Sequence, residues 1–187
     1  MIATMKKNVR LTDGRIVLRP YRPSDAELIY EAVRESLPEL LPWMPWAYPE
    51  YSIKDTMAWI ASSSKKWTKG NEYNFAILDA RDGAFLGGCG FNKVDAKEGF
   101  ANLGYWVRST RTRQGIALAA AQLLARFGFK ELKLQHIEVG AATGNKISQR
   151  VAEKLGAKRM GIRKNDLTVR DKVYSCAVFA LHPQGLD

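Results

Sequence analysis

Residues 104–121 read GYWVRSTRTRQGIALAAA: a strand-like run, a polar elbow carrying Arg111 and Arg113, and Gly115 ahead of an alanine-rich helix. The first N–H groups of a helix have no partner inside it and lie at the positive end of its dipole, so this order of residues predicts a seat for a phosphate or pyrophosphate. Gly115 lets an anion approach the backbone, and the two guanidiniums add charge-assisted contacts. An ordinary helix start with solvated arginines is the plainer reading of the same residues. The other glycine cluster, Gly87-Gly88-Cys89-Gly90, lacks the full GxGxxG register and no helix pattern follows it, and GxxxxGK[ST] occurs nowhere. These glycines instead predict a bulge or a close backbone approach within a strand.

The elements that must hold this elbow follow from periodicity. Alternation over residues 15–21 predicts a first strand, and Ser24 with Glu27 forms a capping-box pattern ahead of a helix whose Leu28, Ile29, Ala32 and Val33 share a face. Residues 37–49, LPELLPWMPWAYP, hold four prolines and three large aromatics, which predicts an irregular covering loop. Ser52 and Asp55 begin a second helix with Ile53, Met57, Ile60 and Trp67 on its apolar side, ending near Gly70. Strands are expected over 73–78 and 84–94, joined through Asp82-Gly83, and over 100–108. A long helix over 114–129, a strand over 134–139, a helix over 145–155 capped by Gly156, and strands over 157–163 and 172–181 complete the chain. The order is β, two helices, a β-meander, then α-β-α-β-β.

The length of 187 residues, 46% of them hydrophobic, suits one core, and one domain over residues 1–187 is expected. The chain shows neither a basic start followed by an apolar core nor an apolar run of about 18 residues, so the cytoplasm is the expected compartment and no membrane partner is expected. Cys89 and Cys176 lie in separate strand-like runs outside any CxxC or Cys/His spacing, which predicts buried thiols and no metal. The formal net charge of +10 favours anionic partners such as a nucleotide cofactor, nucleic acid or an acidic protein. No RNA-binding aromatic signature, zinc-finger spacing or basic heptad region accompanies it.

The order of elements, Gly104-Tyr105-Trp106-Val107, the elbow Arg113-Gln114-Gly115-Ile116-Ala117, and Asn145-x-x-Ser148 ahead of Glu153-Lys154-Leu155-Gly156-Ala157 together resemble the GNAT (Gcn5-related N-acetyltransferase) superfamily. Within it the RimJ/RimL-like ribosomal-protein branch is the nearest match. The resemblance covers residues 15–181. It implies an α/β fold (α+β) with a mixed, mostly antiparallel sheet of six or seven strands, splayed at the cofactor site and flanked by about four helices. It also implies transfer of an acetyl group from acetyl-CoA to a primary amine by direct attack, with no metal. The amine is a protein N-terminus or a small molecule, and a homodimer is implied. A nucleic-acid-binding module, a CoA-binding fold without turnover, and use of another acyl group such as succinyl stand as alternatives.

The resemblance assigns roles residue by residue. The family elbow runs Gln/Arg-x-x-Gly-x-Gly/Ala, and Thr112 departs from it at the first position. Backbone N–H groups over Arg113, Gln114, Gly115, Ile116, Ala117 and Leu118 would hold the CoA phosphates. Trp106, Val107 and Arg108 would flank the pantetheine as an added strand, with the Val107 N–H at the thioester oxygen. Asn145 would contact the pantetheine or cap its helix. Ser148 would protonate the departing thiolate, with Tyr105 in reserve. Trp43, Met44, Trp46, Tyr48 and Tyr51 would wall the acceptor site. Related sequences often place a glutamate base where this chain has Asn102, which cannot accept a proton; Glu72, Glu98 or Glu50 acting through water are the substitutes. His136 and His182 match no catalytic position.

Overall fold

The structure, a computed structural model, describes residues 8–185. A two-residue strand, β1 (Leu11–Thr12), pairs with β2 (Ile16–Pro20), and a 3-10 turn at Pro23–Asp25 leads into α1 (Ala26–Leu40). After α2 (Ile53–Lys69), β3 (Tyr73–Asp79), β4 (Phe85–Asp95) and β5 (Phe100–Val107) form the expected antiparallel meander. Then come α3 (Ile116–Lys130), β6 (His136–Ala142), α4 (Lys146–Lys154), β7 (Lys158–Val169) and β8 (Lys172–Leu181). The strand order is β1-β2-β3-β4-β5-β6-β8-β7, eight strands where six or seven were expected, because the short β1 adds one. Among the described strands only β5 and β6 pair in parallel, which requires the long α3 crossover between them.

Alternation along the strands gives the sheet two unlike faces. Phe75, Phe91, Leu103, Ile137 and Phe179 pack under α3 residues Ala120, Leu124 and Phe127 in one core. Ala76, Leu78 and Phe85 meet Ile29, Val33 and Leu37 of α1 and Ile60 of α2 in another. Alanines on α3 bring that helix close to the sheet. The rings of Trp67, Phe75 and Phe127 fill the space beside it, with edge contacts of 5.1 and 5.5 Å.

Several sequence expectations shift. Asp25, not Glu27, closes the turn before α1: its carboxylate accepts the Arg22 N–H at 2.7 Å and both arms of the Arg19 guanidinium at 2.7 Å each. Leu28 is exposed while Ile29, Ala32 and Val33 are buried. α1 continues past Pro38 because the ring removes a single N–H near the helix end, and buried Leu37 and Leu40 anchor the last turn. The irregular segment therefore starts at residue 41 instead of 37. On α2 the Ser52–Asp55 box forms and Gly70 caps the helix at φ 72°, but Met57 faces solvent and Thr56 is buried in its stead. β7 runs on to Val169, past the expected end at 163, with register shifts that hide its alternation from the sequence.

Candidate active site

The sheet opens at one place. β5 and β6 pair only through Phe100↔His136, Ala101↔Ile137 and Asn102↔Glu138, after which residues 104–107 have no strand beside them on the β6 side. On the other side β5 stays paired to β4, and the Arg108 N–H reaches the Leu86 carbonyl at 2.8 Å. Antiparallel pairs alternate, so Trp106 and Gly104 also bond toward β4, while the Leu103 N–H closes the last rung with β6 and those of Tyr105 and Val107 face the gap. Across the gap, β6 is fully engaged with β8. Its end is pinned by buried Gln149, whose amide donates to the carbonyls of Ala142 at 3.0 Å and Thr143 at 2.9 Å.

The elbow continues from the open strand. Arg113 adopts φ 61° and Gly115 φ 75°, two left-handed residues that turn the chain into α3. The helix begins at Ile116, two residues later than expected. Its first bond in this turn runs from the Ala119 N–H to the Gly115 carbonyl at 3.0 Å, which leaves the N–H groups at 116–118 pointing out of the helix end. A Cβ on Gly115 would meet nothing within 4 Å, so the space before this helix end is open. Arg113 and Gln114 are exposed.

α1 holds the front of the elbow, a support that the sequence reading did not identify. Glu35 accepts from Arg108 Nε at 2.7 Å and Thr110 Oγ1 at 2.6 Å, the Ser109 N–H donates to buried Ser36 at 2.9 Å, and Ser109 Oγ donates to Glu39 at 2.9 Å. The Arg108 guanidinium, hydrogen-bonded to Glu35, and the Thr110 hydroxyl pull the Glu35 carboxyl down to about 2. The Arg108 side chain is thus committed to α1, its N–H to Leu86 and its carbonyl to the Arg111 N–H, so the expected pantetheine contact of this residue is not seen on the gap side.

On the α4 side, Asn145 caps the helix, its Oδ1 accepting the Ser148 N–H at 3.1 Å. The Tyr105 hydroxyl donates to the Ser148 carbonyl at 3.0 Å and lies 3.2 Å from Ser148 Oγ. Burial pushes the Tyr105 phenol up, with the Ser148 contact opposing that shift. The fold therefore brings Tyr105, Asn145 and Ser148 together beside the strand that carries Val107.

On the other face, the α1–α2 segment lays Trp46 against Trp106, with ring centroids 5.8 Å apart, and Trp43 against Tyr174 of β8 at 6.0 Å. Arg170 at the β7–β8 turn donates to the Leu41 carbonyl at 3.0 Å, so this segment spans the mouth of the gap to the β7–β8 hairpin. Tyr51 is buried, and Met44 and Tyr48 pack against the α1–α2 core. The Tyr48 hydroxyl bonds to Asp55, which raises the phenol to about 12. Of the carboxylates named as base substitutes, Glu72 is held by Lys66 at 2.8 Å and Asn74 at 3.1 Å, while Glu50 and Glu98 are exposed. The Asn102 amide donates to Asn92 at 3.0 Å. Cys89 and Cys176 are buried free thiols, and no group of three or more His, Cys, Asp or Glu among the described residues could hold a metal.

A splayed parallel pair, a backbone edge facing the gap and a glycine elbow at a helix start define the N-acetyltransferase class. The acetyltransferase (GNAT) domain family matches residues 15–158, and the chain belongs to that family. It is 26% identical over 169 residues to the Bacillus subtilis (strain 168) protein named "Putative ribosomal N-acetyltransferase YdaF", covering 89% of this chain and 90% of that one. Mycobacterium smegmatis RimJ, solved with CoA-disulfide, superposes with a TM-score of 0.83 at 25% identity, covering 95% of this chain and 88% of the other. RimL, the ribosomal L7/L12 alpha-N-protein acetyltransferase solved with coenzyme A, shares the fold with a TM-score of 0.88 at 17% identity, covering 96% and 100%.

Proposed function

We propose that acetyl-CoA lies along the open edge of β5 and that the acceptor is the α-amine of a protein N-terminus. The observation that carries this reading is the pair of gap-facing N–H groups at Tyr105 and Val107, on a strand that leads directly into the open helix start at Gly115. Pantetheine amides pair with the strand edge, and the phosphates meet the N–H groups at 113–118 with Arg111 and Arg113 nearby. The Val107 N–H takes the thioester oxygen, whose negative charge grows as the amine attacks. Ser148, hydrogen-bonded to Tyr105, supplies the proton for the thiolate, with Tyr105 as the second donor in that pair. The amine enters past Trp43, Met44, Trp46 and Tyr48. The ribosomal-protein names among the relatives support a protein acceptor; a small-molecule amine would use the same entrance.

The reading extends to a single catalytic domain over residues 1–187 working in the cytoplasm as a homodimer. In support of the compartment, no helix among the described residues is long and apolar enough to cross a membrane, and both cysteines are free thiols. The dimer follows from the family resemblance and is checked by light scattering.

Gly115→Glu places a carboxylate where the phosphates would sit and forces a side chain into a left-handed conformation. Calorimetry should show acetyl-CoA affinity falling by about 100-fold or more, on the scale of lost charge-assisted contacts plus repulsion. Gly115→Asn, which tolerates that conformation, should keep measurable binding. Unchanged affinity in Gly115→Glu would remove the elbow from the site.

A further inference from the structure

The gap has an acceptor side without an obvious proton acceptor at Asn102, and the sheet register supplies one that the sequence reading did not single out. Asn102 of β5 pairs directly with Glu138 of β6, the last rung before the strands separate. Paired residues project to the same face. Glu138 therefore stands beside Asn102 and on its side of the sheet, the face of Trp106. Its carboxylate is largely enclosed, with a side-chain exposure of 17%, and Arg163 of β7 holds both oxygens, at 2.9 and 2.8 Å. Each oxygen keeps a lone pair beyond the one Arg163 uses.

What lies between Glu138 and the thioester seat is equally specific. The next residues on this face are Gly104 on β5 and Gly140 on β6, neither of which carries a side chain. A Cβ on Gly104 would find only Asn92 Nδ2, at 3.9 Å, and one on Gly140 only Asn102 Oδ1, at 3.9 Å. The two glycines thus floor an open trough with amide groups at its rim. Asn102 to Val107 is five residues, roughly 16 Å of strand, too far for a carboxylate to reach an attacking amine directly. The trough opens that span beside Glu138, and the Asn92 and Asn102 amides at its rim can hydrogen-bond water there.

We propose that Glu138 is the positioning carboxylate for acceptor deprotonation, acting through water in the Gly104–Gly140 trough in place of the glutamate that Asn102 replaces. The inference rests on the N-acetyltransferase reading of this gap. The acceptor arrives as an ammonium ion. One proton leaves it along the water line toward Glu138 and passes to solvent, and the free amine forms the C–N bond as the C–S bond breaks. The amine's second proton balances the one taken by the thiolate. The sum is ammonium plus acetyl-CoA to amide, free CoA and one proton. Arg163 holds the carboxylate in one orientation through both oxygens.

The test is steady-state transfer by the full chain to a peptide bearing a free N-terminus, alongside acetyl-CoA calorimetry and thermal melting. Glu138→Gln, which can still bond Arg163 through its amide oxygen, should lower kcat by about 100-fold, the usual size of an acid–base contribution. Acetyl-CoA affinity should stay within about twofold, because the elbow is untouched. Adding Asn102→Glu to Glu138→Gln should restore at least tenfold of the loss by returning a carboxylate to the same rung, a gain that a purely structural Glu138–Arg163 pair would not give. Wild-type kcat in Glu138→Gln, or a loss that Asn102→Glu leaves unrescued in a protein that melts and binds acetyl-CoA normally, would overturn the proposal. An inactive wild-type chain would instead contradict the acetyl-transfer reading beneath it.

Discussion

On the α3 and α4 face of the sheet, Phe75, Phe91, Leu103, Ile137 and Phe179 form a continuous buried layer. On the opposite face, α1 and α2 cover the region of Ala76, Leu78, Phe85 and Trp106, while Asn74, Asn92, Asn102 and Glu138 keep a polar strip beyond it. The first face supplies most of the apolar burial and, at its α4 end, the Tyr105–Ser148 pair, while the second supplies the acceptor side. The division lets strands separate between Leu103 and Val107 without loss of the fold, because β5 remains bonded to β4 and its inward side chains remain packed beneath α3. A gap in a sheet is tolerable where one face is already secured by side-chain burial and the exposed backbone edge is reserved for a ligand.

Changes on the two faces should accordingly read out in different experiments. Phe75→Ala removes a fully buried ring in contact with Trp67 and Phe127 and should cost about 3–5 kcal/mol in urea unfolding. Trp46→Ala, on the partly exposed acceptor side, should cost about 1 kcal/mol or less and chiefly raise KM for the amine. Equal destabilisation by both would break the distinction.

The smallest expected effect lies at the joint between the faces, where Glu35 ties α1 to the elbow. Its carboxyl is lowered from 4.5 to about 2, first by the Arg108 hydrogen bond and then by Thr110. A depressed carboxylate contributes stability above its unfolded pKa and loses that contribution as pH falls from about 4.5 through about 2. Wild type should therefore be the more stable of the pair at pH 7, and its advantage over Glu35→Gln should shrink on acidification across that window. A stability difference that stays constant down to the acid end would show that the pair does not couple to folding.

The parts of this site built from neighbouring residues were legible in the sequence. Gly115 announced its own helix start, Ser52 and Asp55 their capping box, and Asn145 its cap, since each acts within a few residues of itself. The Asp82-Gly83 turn also fell where expected, although residues 80–84 form a longer loop, with Gly83 bonded to Asp79 at 3.0 Å. What stayed hidden depends on register between distant segments. Glu138 becomes the neighbour of Asn102 only through the α3 crossover, and Glu35 meets Arg108 across 73 residues of chain. Helical periodicity likewise misplaced Leu28 and Met57, because the position of the neighbouring helix decides which edge of an apolar stripe is covered.

The alternation of N–H directions along β5 is the central claim, and amide-resolved hydrogen exchange by NMR with and without acetyl-CoA tests it most directly. The Tyr105 and Val107 amides, which face the gap, should gain protection on addition of acetyl-CoA, together with those at 115–118. Gly104, Trp106 and Arg108, already bonded toward β4, should be protected beforehand and change little. Equal protection of both sets before ligand, or no gain at Tyr105 and Val107 under saturating acetyl-CoA, would contradict the placement of the cosubstrate on this strand.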